Sequence, residues 1–449
     1  MANGSARGWS RSGAFLLVAV TAVPSFAKEY FVSNAAGSGS GTAADPFGMA
    51  DLPDPASEKL RSKAIEALQP GDTLTFRGGE YRIKTLEGKY YWLGYLRAAR
   101  PGRPEKRITL RAAPGETVRL IHAGGGQPLL GGGRYVTYQG FTIETGPHAA
   151  ARIGGIGVEV AYCHVQGVHR DTSDNHDGLR IEGAEACRVH HCILEGVTGR
   201  SLNSAGIKLY RTTKMIVEDN HIHSNTAGIF DKDSGIDNTY RRNWLTGNRV
   251  QFYGNNQGKI ARYFLHDNVV DGQISLHAGC DGCEVHDNLV RADTLTGAWA
   301  GGIWNNRVWN NIVLSGGKGV LAFYEKRSAF VAAGEKPHLA MMDFNLYDAP
   351  PRYEFGEYAR QHQKFTLADM RTRGFEKHAK VVAGAAELFE DRKTWKLRPR
   401  WAKAGKGGTA PGPDRIAEIL DPTRYGPTAL ARPATVPARP AKAARPGSR

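Results

Sequence analysis

Several things are scarce in this chain, and each scarcity excludes something. No apolar run approaches the roughly 20 residues a membrane helix needs; the one that stands out, Ala14 to Val23, is too short to span. Cysteines number five, Cys163, Cys187, Cys192, Cys280 and Cys283, an odd count that leaves at least one thiol free where disulfides form. Cys280-Asp281-Gly282-Cys283 has no second C-x-x-C or paired His, which argues against zinc and for a tight loop disulfide. The G-x-G runs at 124 to 133 lack a following helix, so no nucleotide-binding loop is expected. Acidic residues are also short, 44 against 59 Lys and Arg, for a net charge of +15.

The two ends account for part of that charge. Residues 1 to 27 carry Arg7 and Arg11, the apolar run, then Ser25-Phe26-Ala27, the pattern of a cleaved signal peptide. Residues 428 to 449 hold only small residues, Pro and five basic side chains, too little apolar bulk to offset ordering entropy. With two charges in the leader and five in the tail, the body from 28 to 427 keeps +8. An exported, secreted or periplasmic body with that surplus suits a polyanion. Charge alone leaves a polyanionic sugar, lipid headgroups or nucleic acid open as that partner, and solubility as its whole meaning.

What is abundant is repetition. VEDNHI at 217 to 222 returns as TYRRNWL (239 to 245), LHDNVV (265 to 270), VHDNLV (285 to 290) and VWNNIV (308 to 313). Asn220, Asn243, Asn268, Asn288 and Asn311 thereby fall at spacings of 23, 25, 20 and 23. Cys192, Cys163 and Gly140 extend the series backwards at 28, 29 and 23. Periods of this size signal a solenoid or propeller. Inside the units apolar residues alternate with polar ones, as in Ile207-Lys208-Leu209-Tyr210, and no unit holds an amphipathic helix. Short strands with that pattern stack rung on rung, about 4.8 Å apart. The fold class expected is therefore all-β, a single-stranded right-handed parallel β-helix with an N-terminal helical cap and an irregular C-terminal segment.

At each corner Asn is expected to adopt the left-handed turn conformation and to bond to the amide one rung above and below. The cap is assigned to Ser57 to Leu68, with Leu60, Ala64, Ile65 and Leu68 on one face behind a Ser N-cap. The coil then runs from 28 to 337. Residues 338 to 427 form an extension along it, with a helical stretch from Leu367 to Arg373.

KEYFVSNAAGSGSGTAADPF, PGDTLTFRGGEYR at 70 to 82 and the Asn-bearing rungs resemble the exported proteins of the pectate-lyase-like superfamily, over about residues 28 to 400. That superfamily holds polysaccharide lyases, uronan epimerases, hydrolases and non-enzymatic adhesins, so the resemblance implies the fold and a sugar groove more than one reaction.

With Leu179, Ile181, Ile207, Leu209, Ile229, Ile274, Leu276 and Ile303 inside, alternation turns another set outward on one flank: Arg180, Glu182, Lys208, Tyr210, Phe230, Lys232, Ser275, His277, Trp304 and Asn306. Lys259 or Arg262 fills the intervening rung. The resemblance implies that sugar lies against this strand, beside the loops from Val168 to Gly178 and Gly247 to Gly258. Elimination at a uronic acid needs a cation on the carboxylate, a base for the C5 proton and an acid for the leaving oxygen. Lys208 and Lys232 are the candidate bases and Tyr210 the proton donor. Arg180 and Arg262 are the carboxylate binders, with Glu182, Phe230, His277, Trp304 and Asn306 completing the binding surface. Asp231 and Asp233 flank Lys232 and would raise its pKa, which favours Lys208. Asp171, Asp174 and Asp177, grouped with His176, could hold Ca²⁺ as a cofactor, form an ordinary turn, or supply a catalytic His176. Asp174-Asn175-His176-Asp177 is similar to the Asp-Pro-His-Asp segment of alginate C5-epimerases. The Glu-x-Glu then Lys of chondroitinase-B-like lyases and the Asp pairs with Gly-His-Gly of polygalacturonase-like hydrolases are not found. The function expected is an exported lyase acting on an acidic polysaccharide by β-elimination, a monomer whose partner is that anionic polysaccharide, with no nucleic acid and no membrane span. A C5-epimerase and a non-catalytic carbohydrate-binding surface protein are the alternatives.

Overall fold

A computed structural model describes residues 27–53, 62–83, 96–123, 130–145, 151–167, 175–255, 259–277, 279–291, 305–315, 320–324, 339–356 and 363–430. The chain is a parallel β-helix. Two sheets of twelve strands and a third of seven share its rungs. In the first sheet the strand Ile216–Glu218 pairs in parallel with Arg188–His190 on one side and Ile236–Arg241 on the other. In the second, His221–His223 lies between Ile193–Glu195 and Trp244–Thr246. The third sheet runs through Ala151–Ile156, Asp177–Glu185, Ala205–Tyr210, Ala227–Lys232, Val250–Asn255 and Ile274–Leu276. Alternation works as period-2 geometry requires: Leu179, Ile181, Ile207, Leu209, Ile229, Phe252, Ile274 and Leu276 fill one continuous core.

The corners between the first and second sheets explain the repeated Asn. Asn220, Asn243, Asn268, Asn288, Asn311 and Asn345 are buried in a column. Each side-chain oxygen accepts the backbone N–H of the previous rung's residue, as Asn268 Oδ1 does from Asn243 N at 3.0 Å. From Asn220 to Asn311 each amide nitrogen donates to the next, as Asn268 Nδ2 does to Asn288 Oδ1 at 3.0 Å, and Asn345 Nδ2 ends the column on Glu376 Oε1 at 3.2 Å. The left-handed residue is not the Asn but the one before it, Asp219, Arg242, Asp267, Asp287 or Asn310, with φ between 52° and 56°. The expectation that Asn itself adopts that conformation is corrected: an amide that must reach into the coil sits one residue past the turn. The same register sets Gly140, φ 76°, level with Tyr162, because Ala161 pairs with Gln139. Phe141, not Gly140, is then the ladder position level with Cys163. A second column joins Asn225 to Asn248, whose Oδ1 accepts both the Asn225 backbone N–H at 2.9 Å and its Nδ2 at 3.0 Å.

Three expectations change. All five cysteines are buried free thiols, so Cys280 and Cys283 form no disulfide. They lie in the core, where burial raises the Cys280 pKa well above the ordinary thiol value. Near the N-terminus the helix is one turn, Lys63–Glu66, with Ser62 Oγ accepting the Ile65 N–H at 3.2 Å. Ala64, Ile65 and Leu68 join the core; Ser57 and Leu60 lie outside the described residues. Beyond residue 337, Leu339–Asp343 and Leu346–Tyr347 continue the first and second sheets, and Lys380–Val381 adds a last strand to the second. The helix over Leu367–Thr372 forms behind a Thr366–Asp369 capping box, as expected.

The last segment doubles back. Val382, Leu388, Phe389, Ile416 and Ile419 cover Val269, Leu289, Ile312 and Leu346 on the outside of the second sheet. Lys406 N–H and Gly412 N–H donate to Asn310 Oδ1 and O at 2.6 and 2.7 Å. Gly426 N–H donates to His191 O at 2.7 Å. The segment thus straps the Asn corner across many rungs.

Candidate functional site

The third sheet's outer face carries the chemistry. In register across the rungs lie Arg152, Arg180, Lys208, Phe230, Tyr253 and Ser275. A second row includes Glu182 beside Tyr210 and Lys232 beside Asn255, with His277 at the end. Before these rows comes a glycine stack, Gly178, Gly206 and Gly228, of which Gly206 and Gly228 lie over the amides of the second Asn column. A Cβ at Gly206 would meet Asn225 Nδ2 at 2.9 Å, and one at Gly228 would meet Asn248 Nδ2 at 2.9 Å. Asp177, preceding the first of these glycines, faces the cationic side chains of the outer surface.

At the centre is the Tyr210 ring. Arg180 Cζ lies 4.5 Å from its centroid, and Lys208 Nζ and Lys232 Nζ each lie 5.5 Å from it, within cation–π range. Lys208 is 0 % exposed. Its Nζ lies 3.2 Å from buried Asp177 Oδ1, donates to Asn175 Oδ1 at 3.1 Å and also donates to Asn203 O. Burial lowers Lys208 to about 8, outweighing the raising effect of Asp177; Lys232 and Arg180 lower it further. Burial likewise raises Asp177 against Lys208 and Arg180. Desolvation therefore dominates on both sides of this pair.

Lys232 is less enclosed, and its Nζ donates to Asn203 Oδ1 at 2.9 Å. Burial lowers its pKa, with Asp177 and Asp233 opposing and Arg180 assisting. The expected rise from two flanking carboxylates is thus corrected. Asp231 turns into the coil, where Oδ2 accepts Asn238 Nδ2 at 2.8 Å and the Tyr240 hydroxyl. Asp233 pairs with Arg211 at 3.2 Å and with Lys259. Tyr210 is pushed up by burial first, then by Asp177, so it keeps its proton. Glu182 is held by Arg152 at 3.0 Å, Arg180 at 3.3 Å and Arg211.

The other expected residues divide. Phe230 is buried against Ala205, Ala227 and Tyr253, not presented as a platform. His277 closes the sheet with Nε2 2.9 Å from Ser275 Oγ, and burial lowers it to about 4. His176 is fully buried beside Asp177; Nδ1 lies 3.3 Å from Thr198 O and Nε2 has no hydrogen-bond partner. Arg262 does not belong here. It starts a first-sheet strand and pairs with Asp237; the rung between Ala227–Lys232 and Ile274–Leu276 is Val250–Asn255. Asn306 is also elsewhere, buried in a first-sheet corner with Oδ1 accepting Cys283 N–H at 2.8 Å. Trp304, Asp171 and Asp174 lie outside the described residues. Asp177, the remaining candidate for Ca²⁺, faces Lys208 and Arg180 Nη1, the latter at 3.7 Å. No group of three or more metal-ligating side chains occurs among the described residues, which do not include Asp171 and Asp174. Sequence reasoning missed Arg152, Asn175, Asn203, Tyr253 and Asn255.

Three sheets, an Asn-laddered corner and an outer face of stacked polar side chains define a right-handed parallel β-helix of about seven turns. Residues 129–290 match the family described as right handed beta helix region. No curated protein matches the chain. Among solved structures it is similar to pectate lyase Pel9A, with TM-score 0.52 and 14% identity over 65% of this chain and 76% of that one. It is also similar to XylC in complex with xylose (TM-score 0.44, 12% identity, 73% and 85% covered) and to an R241A mutant of the PL6 family alginate lyase AlyGC (0.46, 14%, 84% and 58%). At such identities the likeness speaks for the fold alone.

Proposed function

We propose that the protein is an exported polysaccharide lyase that cleaves a uronic-acid-containing polysaccharide by β-elimination. The observation that carries this reading is the convergence of Arg180, Lys208 and Lys232 on the one Tyr210 ring. Arg180 and the buried charge of Lys208 supply a positive field for the sugar carboxylate, which makes its C5 proton more acidic. Lys232, less enclosed than Lys208 and already biased toward the neutral amine, takes that proton. The electron pair forms the C4–C5 double bond and the C4–O bond breaks, with Tyr210, which keeps its phenolic proton, protonating the departing oxygen. Lys208, without exposure, serves the field and not the proton transfer. The leader-like residues 1 to 27 support export. No step runs through calcium.

Purified protein incubated with alginate, pectate and glycosaminoglycans should give an ultraviolet-absorbing unsaturated product from at least one of them, and Lys232→Ala should not. Sugar inversion without absorbance would favour the epimerase, and binding without either product a non-catalytic module.

A further inference from the structure

Two loop amides connect the lysines. Asn175, at φ 74° in the left-handed region that Asn tolerates, presents Oδ1 to both Lys208 Nζ at 3.1 Å and Asn203 Nδ2 at 2.6 Å. Because Asn203 spends its N–H on Asn175, its amide orientation is fixed and Oδ1 must face Lys232 Nζ, 2.9 Å away. The Asn203 carbonyl also receives Lys208. One residue therefore contacts both lysines, with opposite ends of its peptide and side chain. Were Asn203 merely closing a turn, its side chain would have no need of this directed contact.

We infer that Asn203 is a positioning residue for the reaction, holding the Lys232 amine in place through an acceptor whose direction Asn175 and Lys208 set. The inference rests on Lys232 being the base. Facing Lys232 are Lys208, Arg180, Asp177 and Asp233, with the Tyr210 and Phe230 rings against it. The carboxylates favour the ammonium and the cations oppose it; the Asn203 oxygen adds a neutral acceptor that fixes geometry and favours the ammonium by less than a carboxylate would.

Asn203→Asp and Asn203→Leu separate this from a structural role. A carboxylate at hydrogen-bond distance should move the Lys232 titration up by about one unit or more; loss of the acceptor in Asn203→Leu should move it down. Competitive acylation of the Lys232 amine at a series of pH values, read by peptide mass, reports that titration whether or not sugar is cleaved. Where a polyuronate is cleaved, the rising limb of kcat/KM should follow the same shifts. Asn203→Leu should also lower kcat about tenfold or more with a smaller change in KM. Far-UV circular dichroism identifies folded variants. If both variants are folded and the Lys232 profile is unmoved, the inference is wrong. If the profile moves but no polyuronate is cleaved, the positioning contact stands and the lyase reading falls.

Discussion

Asn268→Ala tests the ladder where it is most complete. The Asn268 side chain is fully buried. It accepts Asn243 N–H at 3.0 Å and Asn243 Nδ2 at 3.1 Å, and it donates to Tyr240 O at 2.9 Å, His266 O at 3.0 Å and Asn288 Oδ1 at 3.0 Å. Truncation does not strand all of these groups. Asn243 Nδ2 keeps Val217 O at 2.9 Å, and Asn288 Oδ1 keeps the backbone N–H of residue 268 at 3.0 Å. The Asn243 backbone N–H, however, loses its acceptor inside the coil. A stranded buried donor costs about 1–3 kcal/mol, and the partly compensated bonds add a smaller sum, so about 3–5 kcal/mol is expected. Urea unfolding followed by far-UV circular dichroism measures it. Because rungs couple to their neighbours, Asn268→Ala should be non-additive with Asn243→Ala and close to additive with Asn345→Ala. A loss below about 1 kcal/mol, or additivity with Asn243→Ala, would refute the claim that the amides act as one chain.

Lys232→Met should lower elimination by about 10²- to 10⁴-fold while leaving polysaccharide binding measurable by affinity electrophoresis. Lys208→Met should cost about 3–5 kcal/mol in urea unfolding by leaving Asp177 buried without its ammonium; Lys208→Met with Asp177→Leu should recover most of it. The pH dependence follows from direction. Lys208 gives up its proton at about 8 when folded and at 10.5 ordinarily, so the unfolded chain binds more protons between these values and Lys208's contribution to stability rises with pH from about 8 to 10.5. Asp177, raised from 3.8, acts oppositely, its contribution falling as pH climbs from 3.8 to its folded value. Stability measured across both windows in the wild type and in Lys208→Met should show the upper trend only in the wild type.

The coil and most of the third sheet's outer face were legible because strand alternation is a two-residue signal. Leu179, Ile207 and Ile274 fixed the faces, and the recurring Asn fixed the rungs. The third-sheet rung at Val250–Asn255 was misread at Gly254. Its position calls for an apolar side chain, but a Cβ there would meet Tyr263 Cε2 at 2.8 Å, so glycine stands in the pattern and the strand Val250–Asn255 passed for loop. Arg262, offered with Lys259 to fill that rung, and Asn306, turned outward by alternation from Ile303, were then carried onto the wrong sheet. The left-handed turn was placed one residue late, at the Asn itself, because Asn is both a common left-handed residue and a good ladder residue, and composition cannot tell which property is used. The contact between Asn175 and Asn203 left no sequence signal: they lie in loops, 28 residues apart, and only the stacking of two rungs brings them together. The pairing of Asp233 with Arg211 and Lys259 was equally invisible, which is why Lys232 was ranked below Lys208.

The strap from Lys406 to Gly426 has a consequence for how the chain comes to be folded. Rungs can stack progressively as they emerge during synthesis or transport, but the contacts at Asn310, Asp219 and His191 await residues made near the end. Early rungs therefore spend that interval with their corner unfastened, and a chain halted before residue 406 would hold a wound but unlatched coil, open to proteases along one edge.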